Sequence, residues 1–479
     1  MTQDAKDLTP IHVLAMLAIN IVFWLLPAIT PVTTVGMRLI GVFLSMLYGW
    51  TFCGLLWPSL FGMVAVILSG ICSMKEWAAL SFGNDTIVFI LFIFFFTGVI
   101  DEVGLIDYIA NKMISFKFLN GRPWLFSAFV LIGTYIAAAF VNMFAAILVF
   151  WGIIYIVADR FEFKRYESYP TLMIIGVILA VSLGGCVMPY KPVPIVVLKA
   201  YSQLAGVPMD FFKYIIFSLP VTFAITMFYI LICRFVFRPD IKSLKNISVD
   251  FADPAALILN KKQKITIFLL IIFILLMIAP SILPSKWLVT QLINMLGNAG
   301  CLFILLIIMH WIKFDGEPLL SFTKISKHVP WDSYIVMAFV IPFAGLFTAD
   351  ATGIKPFIVT VMKPLLEGKP AIIFILLTLT LGTILTNIAN NMVIGAVFTA
   401  LIFTIGGSMG MAIAPVIAVL IVCANLALAT PAASPIAAMM FANTSWCQSK
   451  DLYKYSALTV LISMFAAMAL GLFWAGIIY

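Results

Sequence analysis

Residues 137–146 read AAAFVNMFAA, and residues 385–392 read LTNIANNM. Both stretches place asparagine near the middle of a hydrophobic segment, with Asn142 in the first and Asn390 and Asn391 in the second. An amide at membrane depth needs partners, because polar groups without hydrogen bonds are costly in the hydrocarbon core. The pattern therefore predicts two re-entrant helical hairpins whose tips carry amide side chains.

Each hairpin segment is followed by an apolar run that glycine or proline interrupts. Residues 184–194 read GGCVMPYKPVP after the first hairpin, and residues 429–435 read ATPAASP after the second. Interrupted helices at corresponding places in two halves of a chain are the best sequence pointer to the binding site of a transporter. The two halves therefore predict a protein that moves a small solute across a membrane.

The composition is that of a membrane protein, since 64% of the 479 residues are hydrophobic and only 10% are charged. Apolar runs long enough to cross a bilayer recur along the chain, which predicts an all-α polytopic fold with about 11 transmembrane helices besides the two re-entrant hairpins. The seven cysteines are scattered, so we interpret them as packing residues. The net charge of +8 comes from basic residues in loops, where it reports orientation and gives no indication of a nucleic-acid partner.

The loop charges also predict how the chain lies in the membrane. If each hairpin enters and leaves on one side, most of the 28 lysine and arginine residues share a side with the N-terminus, which the positive-inside rule makes cytoplasmic. The C-terminus then lies outside the cell (inner) membrane, and one half is inverted relative to the other. The predicted divisions are a first inverted repeat 1–236 (hairpin 123–158, broken helix 168–205), a cytoplasmic linker 237–263, and a second inverted repeat 264–479 (hairpin 370–407, broken helix 411–440).

Together, the hairpin asparagines Asn142 and Asn390, the interrupted helices and the two-copy layout resemble the divalent anion:sodium symporter family of the ion transporter superfamily. The resemblance covers nearly the whole chain. It implies a homodimer in the lipid bilayer, in which a scaffold domain forms the dimer contact and a transport domain moves by an elevator-type shift. It also implies a dicarboxylate, citrate or sulfate as the small anionic substrate, driven by sodium or by exchange.

The resemblance also assigns residues. The family carries a Ser-Asn-Thr triplet at each hairpin tip, where this chain reads Val141-Asn142-Met143 and Ala389-Asn390-Asn391, without the flanking hydroxyls. Its broken helices carry Thr-Pro-Pro-Asn, where this chain reads KPVPI from Lys191 and ASPIA from Ala433. The substrate-binding positions implied in this way are Asn142, Met143, Lys191, Pro192, Asn390, Asn391, Ser434 and Pro435. The implied cation positions are Ala137, Val141, Asn142 and Lys191 for one sodium ion, and Leu385, Ile388, Asn390, Ala433 and Pro435 for another.

Lys191 is the most informative single residue, because it stands where the family places glycine beside its first sodium ion. A lysine at bilayer depth is costly unless it is paired or faces water, so such a residue is functional by default. One hypothesis is that its tethered ammonium occupies the cation position and weakens or replaces sodium coupling. A second has the ammonium contact an anionic substrate directly. A third has the side chain extend to the outer interface as a snorkelling residue.

The sequence indicates no other chemistry. It contains no nucleotide loop, no nucleophile paired with a base and no zinc motif, so we predict neither an enzyme nor a cofactor apart from the sodium ion. Asp101, Glu102 and Asp107 are assigned to a connecting helix on the inner face rather than to a proton relay. The prediction is a secondary active transporter of small anions, with di- and tricarboxylates as the first choice. Its alternatives are an exchanger or proton-coupled carrier of a monocarboxylate or inorganic oxyanion, and a membrane scaffold or sensor that transports nothing.

Overall fold

In the computed structural model, the described residues are 10–116, 119–246, 258–347, 349–354, 356–357, 360, 370–388, 391–431, 433–443 and 445–479. The α-helices are α1 (Pro10–Leu25), α2 (Thr34–Phe52), α3 (Leu56–Leu68), α4 (Met74–Leu80), α5 (Asp85–Glu102), α6 (Leu105–Ile114), α7 (Pro123–Phe140), α8 (Met143–Arg160), α9 (Ser168–Gly184), α10 (Pro192–Ala205), α11 (Phe211–Ile232), α12 (Lys261–Ile282), α13 (Leu288–Trp311), α14 (Phe322–Ile325), α15 (Trp331–Phe347), α16 (Ala371–Thr386), α17 (Asn391–Leu401), α18 (Ile413–Asn425), α19 (Pro435–Ala442) and α20 (Ser449–Ile478). Short 3-10 or π-helical turns lie at Cys233–Phe237, Lys242–Asn246, Ser326–His328, Asp350–Thr352 and Ile402–Gly406. Two strands, β1 (Lys313–Phe314) and β2 (Glu317–Pro318), pair antiparallel.

The described residues form a polytopic helical protein. Six of their helices are long and apolar enough to cross a membrane, and a seventh crossing results if α4 and α5, which are bent by 54°, count as one span. The six include both arms of the first hairpin, α7 and α8. The predicted all-α polytopic membrane fold is therefore confirmed, whereas the number of about 11 spans and the re-entrance of the hairpins stay predictions.

The core centres on the first arms of the two broken helices, α9 and α18. Every residue of α9 is buried except the first, and α18 is buried from Val416 to Asn425. Helices that are apolar almost all round need neighbours on every side, so these two lie innermost. They meet where the hydroxyl of Ser182 donates to the carbonyl oxygen of Asn425. The ends of both first arms are thereby held side by side.

The first hairpin packs directly on α9. Pro123 begins α7, a position where the fixed φ of proline suits a helix and its missing N–H costs nothing. A Cβ atom at Gly184 would lie 2.6 Å from the carbonyl oxygen of Tyr135. Only glycine therefore allows α7 to approach the end of α9 this closely, and the break that follows Gly184 lies beside the hairpin.

The second hairpin consists of α16 and α17, followed by π-helical turns. Its second arm packs on α10, because a Cβ atom at Gly395 would lie 2.7 Å from Cγ2 of Val197. Residues 247–257 of the predicted linker lie outside the described residues. The division into two inverted repeats stays a prediction.

Candidate substrate and cation site

Asn142 organises the tip of the first hairpin. It caps α8, because its Oδ1 accepts hydrogen bonds from the N–H groups of Phe144 at 2.9 Å and Ala145 at 3.2 Å. An asparagine cap satisfies N–H groups that the start of a helix otherwise leaves without partners. This use of the oxygen leaves Nδ2 of Asn142 available to a partner outside the helix.

Lys191 lies in the first break (residues 185–191) and extends to the same tip. The residue is 5% exposed, and its Nζ donates a 2.8 Å hydrogen bond to the carbonyl oxygen of Val141. No carboxylate of the described residues lies within 4.0 Å of this amine. Lys191 thus ends inside the protein on a neutral carbonyl, and the snorkelling hypothesis does not fit this placement.

Two helix N-termini meet at this tip. Asn142 is the N-cap of α8, and Lys191 precedes Pro192, the first residue of α10. Each N-terminus carries partial positive charge from its aligned peptide dipoles, and a protonated Lys191 would add a full charge. The tip therefore combines positive potential with an amide donor, a setting that suits an anion.

Hydroxyl groups of α11 satisfy the irregular backbone of the first break. The hydroxyl of Tyr214 donates to the carbonyl oxygen of Cys186 at 2.5 Å, and the hydroxyl of Ser218 donates to that of Val187 at 3.0 Å. Non-helical backbone at membrane depth is tolerated only where such partners exist. Helix α11 therefore stabilises the non-helical conformation that places Lys191 at the tip.

Asn387, which is not among the site residues predicted from the sequence, organises the second hairpin tip. Its Nδ2 donates at 2.8 Å to the carbonyl oxygens of Thr383 and Leu426, and its Oδ1 accepts from the N–H groups of Leu428 at 3.0 Å and Ala429 at 2.8 Å. These four bonds use the full capacity of an amide side chain. Asn387 thus joins α16 to the second break (residues 426–434) and has no group left for a substrate.

The two asparagines assigned from the sequence follow Asn387. Asn390 lies outside the described residues. Asn391 is the first residue of α17 and is 8% exposed. In the sequence, the one indication that Asn387 has a structural role is that it follows Thr386. In the structure, the hydroxyl of Thr386 donates to the carbonyl oxygen of Ala424 at 2.9 Å. A hydroxyl and an amide in succession at the end of an apolar arm indicate that both are needed as hydrogen-bonding partners.

In both halves of the chain, a side chain of the break donates a hydrogen bond to a backbone carbonyl at the hairpin tip. In the first half Lys191 donates to the carbonyl oxygen of Val141, and in the second half the hydroxyl of Thr430 donates to the carbonyl oxygen of Asn387 at 2.5 Å. Val141 and Asn387 are the C-cap residues that close the first arm of each hairpin. The contacts correspond, but the donor is an amine in one half and a neutral hydroxyl in the other.

The predicted cation positions divide between the two tips. Ala137 and Val141 are buried at the first tip, and the Val141 carbonyl already binds the amine of Lys191. At the second tip Ala433 is buried, whereas Leu385 and Ile388 are 39% and 58% exposed. A cation there would have to bind backbone oxygens of those two residues, since their side chains carry no ligand atom.

The other predicted substrate residues shape the tips. A Cβ atom at Gly185 would lie 2.8 Å from Cε of Met143, so this methionine packs closely on the first break. Pro192 and Pro435 are the first residues of α10 and α19, where proline is favoured. None of these three side chains offers a hydrogen-bond donor, so they contribute apolar surface.

Asp101 and His328 join the first tip, although neither was predicted from the sequence to be a site residue. Asp101 and Glu102 end α5 rather than lying on the connecting helix α6, which begins at Leu105. Oδ2 of Asp101 is 3.5 Å from Nδ2 of Asn142 and 3.3 Å from Nδ1 of His328. The two residues are far apart in the sequence and their meeting depends on tertiary packing, so no local pattern could have found this cluster.

Ser434 stabilises the second break, and its replacement gives a stability prediction. Its hydroxyl donates to the carbonyl oxygen of Ala427 at 2.7 Å and caps α19 by accepting from the N–H of Ala437 at 3.2 Å. We expect Ser434→Ala to lower the free energy of unfolding by about 1–2 kcal/mol, measured as a lower Tm in detergent. Ser434→Thr keeps the hydroxyl and should stay close to wild type. Equal losses in both variants would contradict this role of the hydroxyl.

Membrane-crossing helices, two hairpins with polar tips and broken helices tied to those tips define a multi-pass membrane transporter. The sequence matches the family model described as citrate transporter over residues 42–423. The chain therefore belongs to the citrate transporter family, and it is a transporter rather than an enzyme. The closer resemblance to the divalent anion:sodium symporters stays a prediction.

The solved structures that resemble this one include two that match along nearly their whole length. The YdaH transporter of Alcanivorax borkumensis is 15% identical, with 98% of each chain covered and a TM-score of 0.58. MtrF of Neisseria gonorrhoeae, whose structure is described as illuminating a class of antimetabolite efflux pumps, is 13% identical, with 97% of this chain and 94% of that chain covered and a TM-score of 0.57. No curated protein matches the sequence. At these identities the likeness shows the fold alone.

Proposed function

We propose that this protein is a secondary active transporter of small anions, with citrate and other di- or tricarboxylates as its substrate class. The observation that carries the proposal is the first tip, where Lys191 and the N-termini of α8 and α10 meet beside the amide of Asn142. These groups offer positive charge and an N–H donor to an anion. The description of the family as citrate transporters supports the same class.

We propose further that the ammonium of Lys191 takes the place of one coupling cation. Its partner is the carbonyl oxygen of Val141, and unwound backbone carbonyls are the ligands that transporters present to sodium. Because the ammonium of Lys191 is covalently attached in this position, no sodium ion from solution is needed to supply the positive charge. Anion binding at this tip is therefore proposed to be independent of sodium, unlike that of the divalent anion:sodium symporters which the sequence resembles.

The remaining features of the proposal follow that resemblance. The hairpins and broken helices would form a transport domain that moves by an elevator-type shift against a scaffold, and the scaffold would join two copies in a homodimer. The loop charges support a cytoplasmic N-terminus and a C-terminus outside the cell membrane.

Thermal stabilisation of the purified protein tests the proposal. The protein is heated with citrate, succinate, lactate, sulfate or phosphate, each in sodium and in choline buffer. A ligand at 100 times its Kd adds about 2.7 kcal/mol to the apparent stability, provided that it binds only the native state. We expect a carboxylate to raise Tm equally in both buffers. A rise only in sodium would refute the proposed independence of anion binding from sodium, and no rise with any anion would refute the substrate class.

Proteoliposome counterflow separates a transporter from a scaffold or sensor that binds anions without moving them. Vesicles loaded with unlabelled citrate should accumulate labelled citrate from outside when they contain the protein. Empty vesicles, and protein vesicles loaded with choline chloride, are the controls. Binding without any exchange would contradict transport.

A further inference from the structure

The amino group of the Asn142 side chain, with its two N–H donors, remains free of the helix after α8 is capped. The oxygen of the Asn142 side chain accepts from its own helix, so Nδ2 is the part of the amide that an anionic substrate can bind. In the structure this Nδ2 faces Oδ2 of Asp101 at 3.5 Å, near the outer limit of a hydrogen bond. The tip amide is thus turned toward a carboxylate of the protein itself.

Elements outside the hairpin hold Asp101 in this place. Its side chain is 19% exposed, and the oxygen that faces Asn142 is also 3.3 Å from Nδ1 of His328. The other ring nitrogen of His328 is 3.1 Å from Oε2 of Glu102, so the ring lies between two acids. Gln263 on α12 donates to the two carbonyl oxygens that follow Glu102. The end of α5 is therefore anchored independently of the hairpin.

We propose that Asp101 is a built-in competitor of the substrate: its carboxylate occupies the position on the Asn142 amide that a substrate carboxylate takes, and it latches the first tip to α5 until the anion displaces it. The inference rests on the proposed function, because it needs an anion at this tip. The acceptor is a carboxylate in both cases, and two ionised carboxylates at such short range repel each other. Although Nδ2 has two N–H groups, this repulsion lets the amide bind only one carboxylate at a time, so Asp101 sets the affinity for the substrate carboxylate.

Asp101→Asn tests the competition, because it removes the charge with little change in size. We expect citrate to bind about tenfold more tightly, while Tm without ligand falls because the charge-assisted contacts to Asn142 and His328 are lost. Glu102→Gln is the matched control. This variant also removes a carboxylate beside His328, but the carboxylate of Glu102 contacts the ring nitrogen that faces away from Asp101. The affinity for citrate should therefore change by no more than about twofold. If Asp101→Asn does not fold, Asp101→Ser is used in its place, and the same results are expected.

The two readouts together distinguish a competitor from a residue with only a structural role. Tighter citrate binding combined with a lower Tm without ligand supports the latch. If Asp101 had only a structural role, its replacement would lower the citrate affinity as well as the Tm. Equal or weaker binding in Asp101→Asn, while wild type responds clearly to citrate, overturns the latch and leaves the proposed function standing. If neither wild type nor any variant responds to any anion of the panel, the proposed function fails and the latch fails with it.

Discussion

Lys191→Met is expected to lower citrate affinity at least tenfold, in sodium and in choline buffer alike. Methionine keeps much of the length of the side chain but removes the amine that lies on the Val141 carbonyl, so it fills the cation position with an apolar group. A tenfold loss corresponds to about 1.4 kcal/mol, which is modest for the removal of a buried charge that faces an anion site. Titration of the purified protein with citrate, followed by Tm, measures the affinity.

Lys191→Gly should behave differently, because it empties the position that methionine fills. We expect citrate affinity to fall in choline and to return at least in part when sodium is added, since a sodium ion can then bind the carbonyl oxygen of Val141. Sodium titration at fixed citrate concentration measures this recovery.

Lys199→Met is the matched control for both variants. Lys199 lies on α10, the helix that Lys191 precedes, and it pairs at 2.9 Å with Asp85, whose side chain is 80% exposed. An ion pair whose carboxylate is this open to solvent contributes little, so this variant should bind citrate like wild type. Wild-type affinity in both Lys191 variants, with and without sodium, would refute the cation-replacement and the substrate-contact hypotheses together.

Asn387→Ala is expected to be the most destabilising single change at either tip. It removes four hydrogen bonds and leaves the buried N–H group of Leu428 and the partly buried N–H group of Ala429 without their partner. Since each buried group left unsatisfied costs about 1–3 kcal/mol, we expect a loss of roughly 3–5 kcal/mol. Thermal unfolding in detergent should show a drop in Tm of about 5 °C or more.

Asn111→Ala is the control for this loss. The Nδ2 of Asn111 makes one exposed hydrogen bond, to the carbonyl oxygen of Asp107 on the same helix, at 2.9 Å. Its removal should change the free energy of unfolding by less than about 0.5 kcal/mol. Similar Tm values for Asn387→Ala and wild type would show that the second tip does not depend on the amide.

The helix ends at the first hairpin tip and the first break could be predicted because local signals specify them. The stretch around Asn142 was predicted as a tip, and α7 ends at Phe140 while α8 begins at Met143. The predicted broken helix 168–205 contains the end of α9 at Gly184 and the start of α10 at Pro192. Apolar runs with an amide or proline in the middle leave the backbone few alternatives in lipid.

The roles of individual polar residues at the tips were harder to predict. Three asparagines follow one another closely near the second tip, and the pattern alone did not indicate that Asn387 joins the hairpin to the second break. Its four partners lie partly on α16 and partly beyond α18. Which amide faces those partners depends on how the helices rotate as they pack.

By itself, the sequence determined the fold class and the places where helices stop, because hydrophobic length, proline and isolated amides act on the backbone nearby. Only the tertiary structure decided which groups meet at the first tip. It places Lys191 on the carbonyl of Val141, 50 residues away, and turns Asn142 toward Asp101 on a separate helix. Side-chain contacts between helices depend on packing geometry in three dimensions, and a one-dimensional pattern does not specify that geometry.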